Sequence, residues 1–251
     1  MQRKNDISVF NSVDDFEQET AEEIVRSMQG AIRDRGIGYI VLSGGETPKG
    51  VYRRFGTDPL RQLVDWSRVH VFFSDERCVA PDDPQSNFYV AERELLSRVN
   101  LVAENIHRMR VELGPEKAAA DYEEVLRNFL DHDAPRFDVI MLGIGEDGHT
   151  ASLFPSTEVL GDESRWARAV NVPRLNSWRV TLTFPAINAG REVFVLASGQ
   201  SKASIIERAL ATKTPTKEIP ITLVRPSQGS LRWMLDRQAA AGLNSLNHQL
   251  H

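Results

Sequence analysis

The sequence predicts an α/β fold, a largely parallel sheet with helices on both faces. Three observations carry this. Short apolar runs such as "YIVLS" (39–43), "DVIML" (138–142) and "REVFVLASG" (191–199) suit strands buried on both faces. Helical patterns fall between such runs, as an alternating strand–helix order requires. The 251 residues show no internal repeat, low-complexity tract or long linker. One domain spanning 1–251 is therefore the simplest organisation.

Each element has its own signal. Asp14 to Arg35 reads as a first helix, with Phe16, Ile24, Val25, Met28 and Ile32 as its apolar stripe. Asp14, Asp15 and Glu17 favour its start, and Gly36 and Gly38 end it. "YIVLS" is a strand, "GGETP" a turn, and a helix begins near Pro48, since proline is accepted in a first turn. "RVHVFFSDER" (68–77) reads as a strand ending at Ser74 or Asp75, and "SNFYVAERELLSRV" (86–99) as a helix capped by Ser86 or Asn87. A helix starting at Pro115 follows, then the strand "FDVIMLGIG" (137–145). "DESRWARAVNVPRLNS" (162–177) is less regular and reads as a lid or an edge of the same domain. "WRVTLTFPAINAG" and "REVFVLASG" are two more apolar runs. "QSKASIIERAL" is a helix, and "GSLRWMLDRQAAAG" closes the chain as a strand and a short helix before a polar tail.

The net charge of −5 and the scattered basic residues give no support for a nucleic-acid partner. Cys78 is the single cysteine, so no internal disulfide can form; it reads as a semi-buried bystander in a reducing compartment. No apolar leader opens "MQRKNDISVF" and no stretch is long enough to span a membrane, so a cytoplasmic setting is expected.

Ligands of open α/β sheets gather at the carboxyl ends of the strands. Three strands here end in polar segments, "SGGETP", "SDER" and "GIGEDGH". In the first, Gly44 and Gly45 let backbone N–H groups approach a ligand and Thr47 adds a hydroxyl, a plausible phosphate cradle or an ordinary tight turn. In the second, Arg77 can grip a phosphate or carboxylate, and Asp75 can act as a base or orient Arg77; a surface salt bridge is the plainer alternative. Asn87 reads as a helix cap. In the third, Asp147 and His149 lie two apart, so a turn decides whether the carboxylate can orient the imidazole. The glycine-rich backbone at 143–145, or an arginine, can supply donors to an oxyanion. Arg179 and Lys202 can complete an anion site, although either alone reads as a solvated charge. Trp166, Trp178 and Arg174 read either as parts of a mobile lid or as ordinary packing with a surface cation; for the tryptophans packing is the better reading. No metal site is expected, because no second histidine stands at ligand spacing from His149.

The ordered set "SGGETP", "FFSDERCVAPDDPQSNF", "LGIGEDGHTASLFP", "RVTLTFPAIN", "ASGQSKA" and "LRWMLD" closely resembles the 6-phosphogluconolactonase family over roughly residues 40–240. The resemblance implies a single-domain Rossmann-like sheet, similar to the ribose-5-phosphate isomerase and glucosamine-6-phosphate deaminase fold. It implies hydrolysis of a phosphorylated sugar lactone, 6-phospho-D-glucono-1,5-lactone, with no cofactor. By motif position it makes His149 the base and Asp147 its partner. It places Gly44, Gly45, Thr47, Arg77, Arg179 and Lys202 around phosphate or sugar, with Asp75 beside them. It assigns Glu46 no role and leaves the oligomeric state open. Two alternatives remain. A deaminase carries a glutamate where this chain has Phe154, and an apolar ring cannot move a proton. A non-catalytic sugar-phosphate sensor would need a DNA-binding segment, for which the residues before Tyr39 leave little room.

Overall fold

Side chains alternate across a strand, so an apolar run paired on both sides must supply two cores. The computed structural model, which describes residues 6–130 and 136–243, is organised in this way. Its strands are β1 (Asp6–Phe10), β2 (Gly38–Leu42), β3 (Val69–Phe73), β4 (Asp75–Arg77), β5 (Val139–Gly143), β6 (Ala167–Val172), β7 (Ser177–Leu182), β8 (Glu192–Ala197) and β9 (Ser230–Asp236). Six of them form one sheet in the order β1-β9-β8-β5-β2-β3, and every pairing in it is parallel. The other three form a small antiparallel sheet, β4-β7-β6.

The helices are α1 (Val13–Arg35), α2 (Thr47–Phe55), α3 (Leu60–Leu63), α4 (Asn87–Glu94), α5 (Pro115–Phe129), α6 (Phe184–Asn188) and α7 (Ala203–Ala211). Val139 and Met141 join Ile40, Leu42, Phe194 and Met234 in a core closed by α1 and α2 through Phe16, Ile24, Met28 and Tyr52. Ile140 and Leu142 point the other way, joining Val193, Val195 and Leu235 in a core closed by α5 and α7 through Tyr122, Leu126 and Ile206. Ser12 caps α1 by accepting from the Asp15 N–H at 3.0 Å, and Gly36 ends it in the left-handed region at φ 77°.

Several sequence expectations need correction. The strand in "RVHVFFSDER" ends at Phe73, within a residue of the expected Ser74, but the second strand that follows it at Asp75–Arg77 was not foreseen. Ser74 donates its N–H to the Leu42 carbonyl of the parallel sheet and accepts at its own carbonyl from the Leu182 N–H of the small sheet, both at 2.8 Å. The chain therefore changes sheets at this residue. The irregular segment 162–177 contains β6, a regular strand that β7 covers in six register pairs. "FPAIN" is helical, because Pro185 starts a helical turn after Thr183. β1 was not foreseen; it is an edge strand with three of its five residues exposed. Residues 237–242 form turns rather than a short helix, and the tail from 244 lies outside the described residues. Ser86 caps α4 by accepting from the Tyr89 N–H, which frees the Asn87 side chain for another task. No helix among the described residues is long and apolar enough to cross a membrane.

A histidine pair lies beside edge strand β3. His70 Nδ1 and His107 Nε2 are 2.9 Å apart, and the buried His107 ring stacks on Phe72 with centroids 4.5 Å apart. Burial, then the neighbouring His70, pushes the His107 imidazole down to about 4 from its ordinary 6.5. Between those values the unfolded chain holds a proton that the folded chain refuses. Stability must therefore fall as pH drops from 6.5 towards 4. Urea midpoints measured across this range should show the fall, and His107→Gln, though less stable at neutral pH, should show a smaller one.

Candidate active site

Three strand ends and the small sheet enclose a cavity of about 640 Å³. β5 runs into the loop 144–153, which is held by its own hydrogen bonds. Gly148 donates to the Gly145 carbonyl at 2.9 Å, and Gly145 donates to the His149 carbonyl at 2.8 Å. Gly148 sits at φ 85°, which suits glycine. A side chain at Gly145 would approach within 1.9 Å of His149 Nδ1. Both glycines are therefore needed for the loop to fold back on itself.

This turn brings the acid and the base together. Asp147 Oδ1 accepts from the His149 backbone N–H at 3.1 Å, an Asx-type turn, and lies 2.5 Å from His149 Nδ1. Asp147 Oδ2 is paired with Arg174. Burial alone would raise the Asp147 carboxyl, but the hydrogen bond and charge of His149, with Arg174 behind them, hold it well below the ordinary carboxylate range. With Nδ1 engaged, Nε2 is the nitrogen left for chemistry. Phe154 stacks on the His149 ring, with centroids 4.1 Å apart and planes at 29°.

The opposite wall is cationic. β4 and β7 pair so that Arg77 and Arg179 stand directly across from each other. Like charges in this position repel. Burial, then the charge of Arg77, holds the Arg179 guanidinium below its ordinary value. Arg77 donates to the Gln85 carbonyl at 2.6 Å and Arg179 to the Ser177 hydroxyl at 2.8 Å. Lys202, on the turn before α7, lines the same cavity. Among the described residues, none of these three cations has a carboxylate partner within ion-pair distance. Arg174 differs, since Asp147 neutralises it.

Asp75 joins the two halves of the site. Its buried carboxylate accepts from the Ser152 hydroxyl at 2.7 Å, the Ser74 hydroxyl at 3.1 Å and Asn87 Nδ2 at 3.2 Å. Asn87 Nδ2 also donates to the Asp75 carbonyl at 2.8 Å. Asn87 is thus a bracing residue and not the cap expected from sequence.

The cavity walls include Asp75, Arg77, Asp147, His149, Arg179 and Lys202. Gly44, Gly45 and Thr47 are not among its lining residues. Their loop abuts the bracing residue instead: a side chain at Gly44 would come within 2.0 Å of Asn87 Oδ1, and Gly45 takes φ 95°. The expectation that backbone at 143–145 could hold an oxyanion fails at Gly145, whose N–H is committed to His149. Arg174, read from sequence as a surface cation, instead contacts the Asp147 carboxylate. Trp166 is buried as expected, whereas Trp178 is largely exposed. Cys78 is half-buried, and burial pushes its thiol up to about 11, as suits a bystander.

Glu76 was missed. It lies buried in "SDER" and accepts from the N–H groups of Arg77, Asn87 and Phe88 and from the Ser86 hydroxyl. Those bonds fix the start of α4 against β4. The sequence offered no local signal, because Glu76 and the start of α4 are 11 residues apart and meet only through the intervening loop.

Residues 11–233 match the family described as glucosamine-6-phosphate isomerases/6-phosphogluconolactonase. A protein named 6-phosphogluconolactonase from Synechocystis is 40% identical over 217 residues, covering 85% of this chain and 88% of the relative. The chain belongs to this family. The structure of 6-phosphogluconolactonase from Trypanosoma cruzi matches with a TM-score of 0.86 at 29% identity, covering 97% of this chain and 98% of that one. A monomeric glucosamine-6-phosphate deaminase shares the fold, with a TM-score of 0.78 at 18% identity over 94% of this chain and 99% of that one. Within the family, then, the fold does not separate lactonase from deaminase, and the side chains of the cavity must.

Among the described residues the cations on this wall have no carboxylate partner, so an added anion is expected to relieve their repulsion. Inorganic phosphate at ten times its dissociation constant should stabilise the protein by about 1.4 kcal/mol, roughly 3–5 °C in melting temperature for a chain of this size. Calorimetry should show the shift in wild type and show most of it lost in Arg179→Gln.

Proposed function

We propose that this chain hydrolyses 6-phospho-D-glucono-1,5-lactone to 6-phospho-D-gluconate, the second step of the oxidative pentose phosphate pathway. One observation carries the reading. His149, oriented by Asp147, opens on the same cavity as Arg77, Arg179 and Lys202. A base and an excess of positive charge in one cavity suit a substrate with a reactive lactone at one end and a phosphate dianion at the other. The cavity volume of about 640 Å³ is ample for such a molecule. The ring of Phe154 on His149 argues against the deaminase alternative, because no carboxylate occupies that place.

In this reading the cations bind the phosphate and sugar, orienting the ring so that C1 lies beside His149. The loop of Gly44, Gly45 and Thr47 lies outside the cavity lining and supports the site through its contact with Asn87. Asp75 holds Ser152 and Asn87 and so keeps the two walls in register. His149 Nε2 removes a proton from water as its oxygen forms a bond to C1. The carbonyl electrons move to the exocyclic oxygen, where a guanidinium stabilises them. Collapse of this intermediate breaks the bond from C1 to the ring oxygen, and the imidazolium returns its proton to that oxygen. Asp147 stays ionised and stabilises the charged imidazole, as in other base–orienter pairs. The chain acts as one α/β unit, since both cores share the parallel sheet. The single cysteine is the support for a reducing compartment, the cytosol.

The test is hydrolysis of freshly generated 6-phosphogluconolactone beside its spontaneous reaction, with unphosphorylated gluconolactone as control. Wild type should accelerate the phosphorylated substrate strongly and the control weakly. His149→Ala should lower kcat by about 10²–10⁴-fold with little change in KM. Arg179→Ala and Lys202→Ala should instead raise KM, each by about 10–100-fold, the worth of one charge-assisted contact. A wild-type rate equal to background would overturn the reading, and unchanged turnover in His149→Ala would remove that residue from its role.

A further inference from the structure

Four cationic side chains line the cavity, but only three are available to a substrate. Arg174 sits on the turn 173–175 between β6 and β7, and its guanidinium is spent on Asp147 Oδ2. Its guanidinium carbon also lies 5.0 Å from the centre of the Phe154 ring, which in turn stacks on His149. Arg174 therefore touches two side chains that touch the imidazole, one through charge and one through a ring face.

We propose that Arg174 is a positioning residue for the lactone reaction, locking Asp147 in the orientation that presents Oδ1 to His149 Nδ1. The inference rests on the function proposed above. A carboxylate held at one oxygen can rotate away from its partner. Held at both oxygens, by groups on different elements, it cannot rotate without breaking an ion pair. His149 and Asp147 share one loop, so neither can fix the other against the body of the protein. Arg174 comes from the small sheet and supplies that outside reference. Phe154 restrains the imidazole from its face while Asp147 restrains it in its plane, and Arg174 backs both.

This role differs from the alternatives in what it costs to remove. An ion pair whose arginine is half exposed contributes little to folding. A substrate anchor would act on KM. A positioning residue acts on turnover, because a small misplacement of a reacting group can cost up to about a hundredfold in rate.

The experiment compares wild type, Arg174→Gln, Arg174→Lys, Asp147→Asn and the double variant Arg174→Gln/Asp147→Asn on 6-phosphogluconolactone. Arg174→Gln should lose about 10–100-fold in kcat and hold KM within about twofold, with a melting temperature within about 2 °C of wild type. Arg174→Lys should recover part of the loss, since it keeps the charge but not the planar fork. In the Asp147→Asn background the Arg174→Gln change should cost almost nothing more, because its partner is gone. Proton NMR gives a second readout that does not need turnover. The downfield His149 Nδ1–H resonance of wild type should broaden or vanish in Arg174→Gln. A tenfold rise in KM with kcat retained would make Arg174 a substrate anchor and overturn the proposal. So would unchanged kinetics, or an equal cost in both backgrounds. A wild type that fails to accelerate hydrolysis would overturn the functional reading instead, and the resonance would still decide the fate of Arg174: kept in Arg174→Gln, it refutes the positioning role.

Discussion

Ser74 serves two sheets at once, and the site exists because it does. Its N–H completes the parallel ladder with Leu42, and its carbonyl begins the antiparallel one with Leu182. One residue later the chain has left the plane of the main sheet, carrying Asp75 and Arg77 over the loop that follows β5. Had the strand continued in the parallel sheet, Arg77 would have ended far from Arg179 and their cross-strand register would not exist. The Asp75–Ser152 hydrogen bond then ties this second sheet to the His149 loop. A buried carboxylate bonded to hydroxyl and amide donors from three segments leaves little freedom between the two walls.

The electrostatics follow the same division. On the loop side, one carboxylate is shared between an imidazole and a guanidinium, so local charge is balanced. On the small-sheet side, cations face each other without carboxylate partners among the described residues. Like charges set opposite each other cost stability, and a protein keeps such an arrangement where a ligand relieves it. Balanced charge where a proton must move, and unbalanced charge where an anion must sit, is the pattern expected when one cavity performs both tasks.

Much of this was legible in the residues. Apolar runs without alternation identified the parallel strands, and Gly145, Asp147, Gly148 and His149 identified the loop. The small sheet was not legible as a sheet, because "DER" is too short and polar to stand out and "ARAVNV" lacks the unbroken apolar run that marked the parallel strands. Helix α6 hid inside an apolar run whose composition suits a strand equally well. Asn87 stood where a cap is common, and only the structure shows Ser86 capping while Asn87 reaches Asp75. Glu76 was passed over, and the contact of Arg174 with Asp147 was missed, for one reason. Each acts on a partner distant along the chain, and the loops that bring those partners together leave no periodic trace.

The facing arginines β4 and β7 present have a consequence for the direction of traffic through the site. Hydrolysis of a phosphorylated lactone converts a neutral ester into a carboxylate, so what leaves carries more negative charge than what entered. A cavity built to attract anions holds the product at least as firmly as the substrate by charge alone. Departure is then the step the electrostatics oppose.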